Sequence, residues 1–310
     1  MSTTRECGLT VARRLGELLS AVTRDLADAG IESARIDARL LIARATQGAA
    51  TDAFLHPEQT IGDDQHATLA DLVRRRIARE PMAQILGRRG FRDIELAVTR
   101  DVLTPRPETE NLVEAVHAFA DGPVSRILDL GTGSGCLILS LLSELPGATG
   151  VGVDVSEAAL GVALGNAASL GLQDRVTFFA GDWFDALPAT GGDAGPYDLI
   201  VSNPPYVRQG EIADLEPEVR DHEPAVALDG GPDGMDAYRA ICASAGRYLR
   251  DGGNLGFEVG AGQADAVATL LQRSGFAGTQ IVDDLAGIAR VVMARWSAGQ
   301  KRVGNRGEPV

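Results

Sequence analysis

Arg126-Ile127-Leu128-Asp129-Leu130-Gly131-Thr132-Gly133-Ser134-Gly135 decides how this chain folds. Its first five residues form a short, largely apolar run of the kind that makes a buried strand, and Leu137, Ile138 and Leu141 follow at helical spacing. Glycines between a strand and a helix let the backbone turn sharply and approach a ligand at the helix amino terminus, where N–H groups lack helical partners. A dinucleotide site for hydride transfer would carry Gly-x-Gly-x-x-Gly; here Gly135 comes one residue early and position 136 is Cys. The segment reads as the first strand, turn and helix of an α/β sheet with a different ligand.

Outward from it, three more strand-like runs end in residues with chemistry. Gly150-Val151-Gly152-Val153-Asp154-Val155 brings an acid to a strand end, 25 residues after Asp129, where a carboxylate can accept from both hydroxyls of a ribose. Residues 175–180 lead into Gly181-Asp182-Trp183. Tyr197-Asp198-Leu199-Ile200-Val201 stops at Ser202-Asn203-Pro204-Pro205-Tyr206, because proline has no amide hydrogen and Pro205 forces Pro204 into an extended conformation. That loop is either a turn that ends a strand or a rigid presenter of the Asn203 side-chain carbonyl, the Pro204 main-chain carbonyl and the Tyr206 ring, a set that suits a planar NH2 group. Strand ends that carry ligand groups in this order are expected where ligands bind beyond the carboxyl edge of an open parallel sheet. A helix around 238–249, a strand at 254–259, a helix around 264–271 and strands at 279–282 and 288–294 complete a seven-stranded pattern.

Toward the amino terminus, Leu15, Leu18, Leu19, Val22 and Leu26 recur at helical spacing before Gly30, and further helical patterns run through Ile36, Leu40 and Leu41 and through Leu69, Leu72, Val73 and Ile77. Residues 1–80 are expected to be a helical domain, serving either as a packing module or as a docking site for a partner. Residues 81–103 are expected to be a linker with a β-hairpin around a glycine turn, 104–296 the catalytic domain, and 297–310 a disordered tail. The 310 residues are 45% hydrophobic, without a membrane-length apolar run or a signal-peptide core, which points to the cytoplasm. The net charge of −14 argues against a protein that grips nucleic acid through phosphate contacts. Cys7, Cys136 and Cys242 and the single histidines His56, His66, His117 and His222 lack disulfide or metal spacing; they read as structural or surface residues, and no metal is expected.

Asn203-Pro204-Pro205-Tyr206 matches the Asn/Asp-Pro-Pro-aromatic motif of amino-methyltransferases, and Arg106-Pro107-Glu108-Thr109-Glu110 is similar to a segment of the protein-glutamine methyltransferases of peptide-chain release factors, the HemK/PrmC family. Glu223-Pro224-Ala225-Val226-Ala227-Leu228-Asp229-Gly230-Gly231 also resembles that family, as a surface loop or a lid near the substrate. The resemblance implies a class I, Rossmann-like, seven-stranded methyltransferase domain with its last strand antiparallel, and S-adenosylmethionine as cofactor. It implies cofactor binding by Asp129, Gly131, Thr132, Gly133, Ser134, Gly135, Asp154, Asp182, Trp183 and Asn203. Asp182 would accept from the adenine amino group, and Trp183 would cover the ring or fill core. Asn203, Pro204, Pro205 and Tyr206 would hold the acceptor, assisted by Arg106, Glu108 and Glu110. The implied substrate is the glutamine of the Gly-Gly-Gln loop in class 1 release factors; glutamine in a large-subunit ribosomal protein, and N-methylation of a DNA or RNA base, are the alternatives.

Overall fold

The computed structural model describes residues 12–298, so Cys7 and residues 299–310 of the expected tail lie outside the described residues. The described residues divide into two compact units: 12–87 with Glu216–His222, and 88–215 with 223–298.

The first unit is helical, with α1 Leu15–Asp28, α2 Ala34–Thr46, α3 Asp52–Leu55, α4 Asp63–Ile77 and α5 Met82–Leu86. Its core is the set of residues that recur every third or fourth position: Leu18, Val22 and Leu26 of α1 meet Ala38 and Leu41 of α2 and Leu69 and Val73 of α4. Within this unit the buried Arg76 guanidinium donates to Asp37 at 2.7 Å and to Glu218 at 3.0 Å, so its charge is satisfied on two sides. The unit extends to Gly87 rather than stopping at residue 80, because Pro81 starts a further helical turn and Gly87, at φ 75°, ends it.

The second unit opens with the hairpin β1 Arg88–Phe91 and β2 Ile94–Ala97. Ile85 and Leu86, within the stretch expected to carry the hairpin, are helical, and the turn is made by Arg92 and Asp93 rather than by a glycine; Arg92 takes the left-handed conformation at φ 49°. The hairpin buries Phe91, Ile94 and Leu96 in the same cluster as Leu112 and Val113, so by packing it is part of this unit and not a free linker.

Next come α6 Pro107–Phe119, β3 Arg126–Leu130, α7 Cys136–Glu144, β4 Thr149–Asp154, α8 Glu157–Ser169, β5 Val176–Ala180, β6 Tyr197–Ser202, the one-turn α9 Pro217–Arg220 that falls in the first unit, α10 Asp236–Ser244, β7 Leu249–Glu258, α11 Ala264–Arg273, β8 Phe276–Asp283 and β9 Ala289–Trp296. The strands form one sheet in the order β5-β4-β3-β6-β7-β9-β8, with β9 antiparallel to both neighbours and the others parallel. Period-2 alternation divides the core in two. Leu128, Leu130, Ile200, Leu255 and Phe257 face a cluster with Ile241 and Val267, while Ile127, Leu199, Val201 and Met293 face a cluster with Val116 and Ile138. Both faces are covered, as a largely parallel sheet requires. Because β3 lies between β4 and β6, the direction of winding reverses there, and the carboxyl ends of these strands open onto a crevice.

Candidate active site

A cavity of about 550 Å³ occupies that crevice, within the size range of sites for cofactor-sized ligands. Its floor is the turn after β3. Gly131, Gly133 and Gly135 have φ of 72°, 56° and 82°, a conformation that costs other residues strain, and Gly135 caps α7. The turn is fixed from below: Asp129 Oδ2 accepts from the Thr132 hydroxyl at 2.7 Å, and the amides of Gly131 and Thr132 donate to the Val153 carbonyl at 2.8 and 2.9 Å. Asp129 is fully buried, and desolvation pushes its carboxyl up to about 7, opposed by that hydroxyl. Gly131, Thr132, Gly133 and Ser134 line the cavity; Asp129 and Gly135 do not, and they shape the turn from outside it.

Asp154 lines the cavity at the end of β4 and accepts from Gly133 N–H at 2.8 Å through Oδ2 and from Ser156 N–H at 2.9 Å through Oδ1. Each oxygen keeps a further lone pair for a ligand. After β5, Asp182 and Trp183 form the adjacent wall, with Trp183 at φ 45°. A Cβ on Gly131 would stand 3.7 Å from the Trp183 ring, and the same ring packs against the core, so Trp183 both walls the site and fills core. Cys136, read from sequence as structural, also lines the cavity; burial pushes its thiol up to about 12, so it is a packing group there and not a thiolate.

After β6, Asn203 and Pro205 reach the cavity, whereas Pro204 and Tyr206 are not among its lining residues. Tyr206 packs against the core, and its carbonyl accepts from Gln263 Nε2 at 3.0 Å; the Gln263 Oε1 accepts from Gly260 N–H at 3.0 Å. Asn203 Nδ2 donates to the Thr109 hydroxyl at 3.2 Å, which turns the amide nitrogen toward α6 and leaves Oδ1 as the unused acceptor.

The segment before α6 closes another side. Glu223, almost wholly buried, accepts from the Thr104 amide at 3.2 Å and from Arg106 at 2.6 Å, joining the 101–106 stretch to the 223–234 loop; both contribute lining residues, Thr104 and Arg106 from one and Pro224, Val226 and Asp229 from the other. Glu108 and Glu110 do not line the cavity, and Glu110 instead accepts from the Arg92 amide at 3.2 Å, anchoring the hairpin. Thr109 and Glu223 were not singled out from sequence. Thr109 sits between two acidic residues that suit the first turn of a helix, and Glu223 gains its partners only from chain segments more than a hundred residues away.

The glycine cradle, the acid at the end of β4, the Trp183 wall and the cavity volume together fit an adenosyl cofactor. Residues 17–87 match the family model of the PrmC N-terminal domain, and residues 122–255 match a methyltransferase domain. A release factor glutamine methyltransferase of Rhodospirillum rubrum is 46% identical over 281 residues, covering 91% of this chain and 85% of that protein. One from Caulobacter vibrioides is 45% identical, covering 86% and 91%. Among solved structures, the hMettl16 catalytic domain in complex with the MAT2A 3'UTR hairpin 6 is 16% identical with a TM-score of 0.52, covering 65% of this chain and 74% of that one, a likeness of fold. At that identity and coverage, and with both domains in place, the chain belongs to the family of release factor glutamine methyltransferases.

Proposed function

We propose that this protein transfers a methyl group from S-adenosylmethionine to the side-chain amide nitrogen of the glutamine in the Gly-Gly-Gln loop of class 1 peptide-chain release factors. The observation that carries the reading is Asn203 at the cavity wall with its Nδ2 tied to Thr109 and its Oδ1 available. When bound, S-adenosylmethionine supplies an activated methyl group on a cationic sulfur. Gly131, Thr132, Gly133 and Ser134 would hold it at the amino end of α7, Asp154 would accept from the ribose hydroxyls, and Asp182 and Trp183 would flank the adenine.

An amide nitrogen is a poor nucleophile because its lone pair is delocalised into the carbonyl, the resonance that keeps peptide bonds planar. Asn203 Oδ1 and the Pro204 carbonyl accept the two amide hydrogens in this reading. They orient the nitrogen and stabilise the positive charge that develops on it, before its proton leaves. Pro205 walls the acceptor, and Tyr206 acts through the loop it anchors, since its ring is packed into the core. Arg106 contributes by holding Glu223 and with it the 223–234 loop. The reading carries with it a cytoplasmic setting; among the described residues no helix is long and apolar enough to cross a membrane.

The test is incubation with S-adenosylmethionine and a recombinant release factor, followed by peptide mass spectrometry. A gain of one methyl on the Gly-Gly-Gln glutamine is expected, and Asn203→Ala should lower kcat by about 10²–10³-fold, as for loss of one aligned polar group at a developing charge. Unchanged turnover of Asn203→Ala at saturating substrate would remove Asn203 from this role.

A further inference from the structure

We propose that Gln263, the residue before α11, is a positioning residue for methyl transfer: its carboxamide joins the loop after β6 to the 223–234 loop and so fixes where the Pro204 carbonyl points. The inference rests on the proposed roles of Asn203 and Pro204. Gln263 is buried and does not line the cavity, so it acts through the backbone it binds. Its Nε2 donates to the Tyr206 carbonyl at 3.0 Å and to the Gly234 carbonyl at 3.3 Å, and its Oε1 accepts from Gly260 N–H at 3.0 Å. All three partners are main-chain groups of fixed sense, two acceptors and one donor, so the carboxamide has one orientation that satisfies them.

The loop after β6 has little freedom of its own. Pro204 and Pro205 each hold φ in a narrow range, which leaves few torsions between Asn203 and Tyr206. Upstream the chain is held in β6, where the Ser202 hydroxyl donates to the Leu130 carbonyl at 2.6 Å. Holding Tyr206 downstream therefore sets the direction of the Pro204 carbonyl two residues back. Past Tyr206 the two loops pair as a short parallel bridge: Val207 N–H donates to the Leu228 carbonyl at 3.0 Å, Gly230 N–H to the Val207 carbonyl at 2.8 Å and Gln209 N–H to the Gly231 carbonyl at 3.0 Å. They touch without room for a side chain. A Cβ on Gly230 would stand 2.8 Å from the Tyr206 Cα, and one on Gly234, where φ is 74°, would stand 2.5 Å from the Tyr206 carbonyl oxygen and 2.6 Å from Gln263 Nε2.

The 223–234 loop lines the cavity with Pro224, Val226, Ala227 and Asp229, and Glu223 fastens its start to Thr104 and Arg106. Through Gln263, this wall and the carbonyl that receives the substrate's amide hydrogen hold one fixed relation. The three side-chain bonds of Gln263 go to the loop after β6, the 223–234 loop and the turn after β7, and none goes to the glycine turn after β3. Loss of Gln263 therefore falls on the transfer step and not on cofactor binding.

The experiment compares wild type, Gln263→Leu, Gln263→Glu and Gly234→Ala. It measures kcat and KM on a recombinant release factor, S-adenosylhomocysteine affinity by calorimetry, and amide hydrogen exchange by mass spectrometry. Each variant should lose about 10- to 100-fold in kcat, the cost of a slightly misplaced acceptor, with KM and S-adenosylhomocysteine affinity within about threefold of wild type. Exchange should rise together in 206–211 and 226–236 and stay unchanged in β3, β4 and β5. If Gln263→Leu does not fold, Gln263→Glu, which keeps an acceptor for Gly260 N–H and lacks the NH2, decides together with Gly234→Ala. Wild-type kcat in the folded Gln263 variants, a parallel fall of kcat and S-adenosylhomocysteine affinity, or faster exchange in only one of the two loops would overturn the proposal. No methylation by wild type would instead overturn the methylation reading, with the exchange data still reporting whether Gln263 joins the two loops.

Discussion

Asp154 shows how much one side chain does here. It closes two backbone donors, from Gly133 and Ser156, and still faces the cavity, so it fixes the glycine turn and offers the ligand acceptor positions. Asp154→Ala is expected to weaken S-adenosylhomocysteine binding roughly 10- to 100-fold, the cost of losing hydrogen bonds to a charged group; affinity within twofold of wild type by calorimetry would contradict it. Asp154 and Asn203 were legible in the sequence because each ends a strand-like run, and the ends of parallel strands are where ligands meet this kind of sheet. Thr109 was not, because its significance is a contact between α6 and the loop after β6, residues far apart in the chain. Glu110 was legible for its charge, but its bond to the Arg92 amide was not, since only the folded hairpin brings the two together.

At the scale of elements, Asn166 ties the hairpin to the glycine turn after β3. It sits in α8, is 1% exposed, and its Oδ1 accepts from the Ala97 amide at 2.7 Å while Nδ2 donates to the carbonyls of Ala97 at 3.2 Å and Ser134 at 2.9 Å. Asn166→Ala strands one backbone donor and two acceptors in a buried place, and about 2–4 kcal/mol of stability should be lost, with weaker cofactor binding as the turn loosens. Urea denaturation checks the first part; a loss below about 1 kcal/mol would show that water or rearrangement satisfies those groups. The strands and helices themselves were largely legible from periodicity, while their ends were not. The helix expected to run to residue 249 stops at Ser244, where the chain passes through a short 3-10 turn into β7. The hairpin turn was assigned to glycine because glycine tolerates positive φ best, yet Arg92 occupies that conformation and is held there by Glu144 and Glu114.

For the whole molecule, two nearly inaccessible carboxyls, Asp129 and Glu258, are both pushed up to about 7 by burial. Above the ordinary carboxylate range the unfolded chain has released these protons and the folded one has not. Stability from these two groups is therefore fully present below that range and falls as pH rises through about 7. Paired acids held below their ordinary range, such as Glu80 and Glu218, act in the opposite sense and only at more acid pH. Unfolding free energy should decrease from pH 5 to pH 8, and Asp129→Asn should flatten that decrease by on the order of 3 kcal/mol; equal slopes in variant and wild type would contradict the burial argument. The acidic net charge was readable from composition, but these protonation states were not, because they depend on which acids the fold buries.

The central claim is that Asn203, presented at the end of β6 with its NH2 turned inward, accepts a substrate glutamine amide for methylation. Peptide mass spectrometry of a release factor treated with wild type and with Asn203→Ala tests it most directly. One added methyl on the Gly-Gly-Gln glutamine with wild type, and about 10²–10³-fold less with Asn203→Ala at intact cofactor affinity, is the predicted result. Methylation at another residue, or equal rates from both proteins, would contradict it.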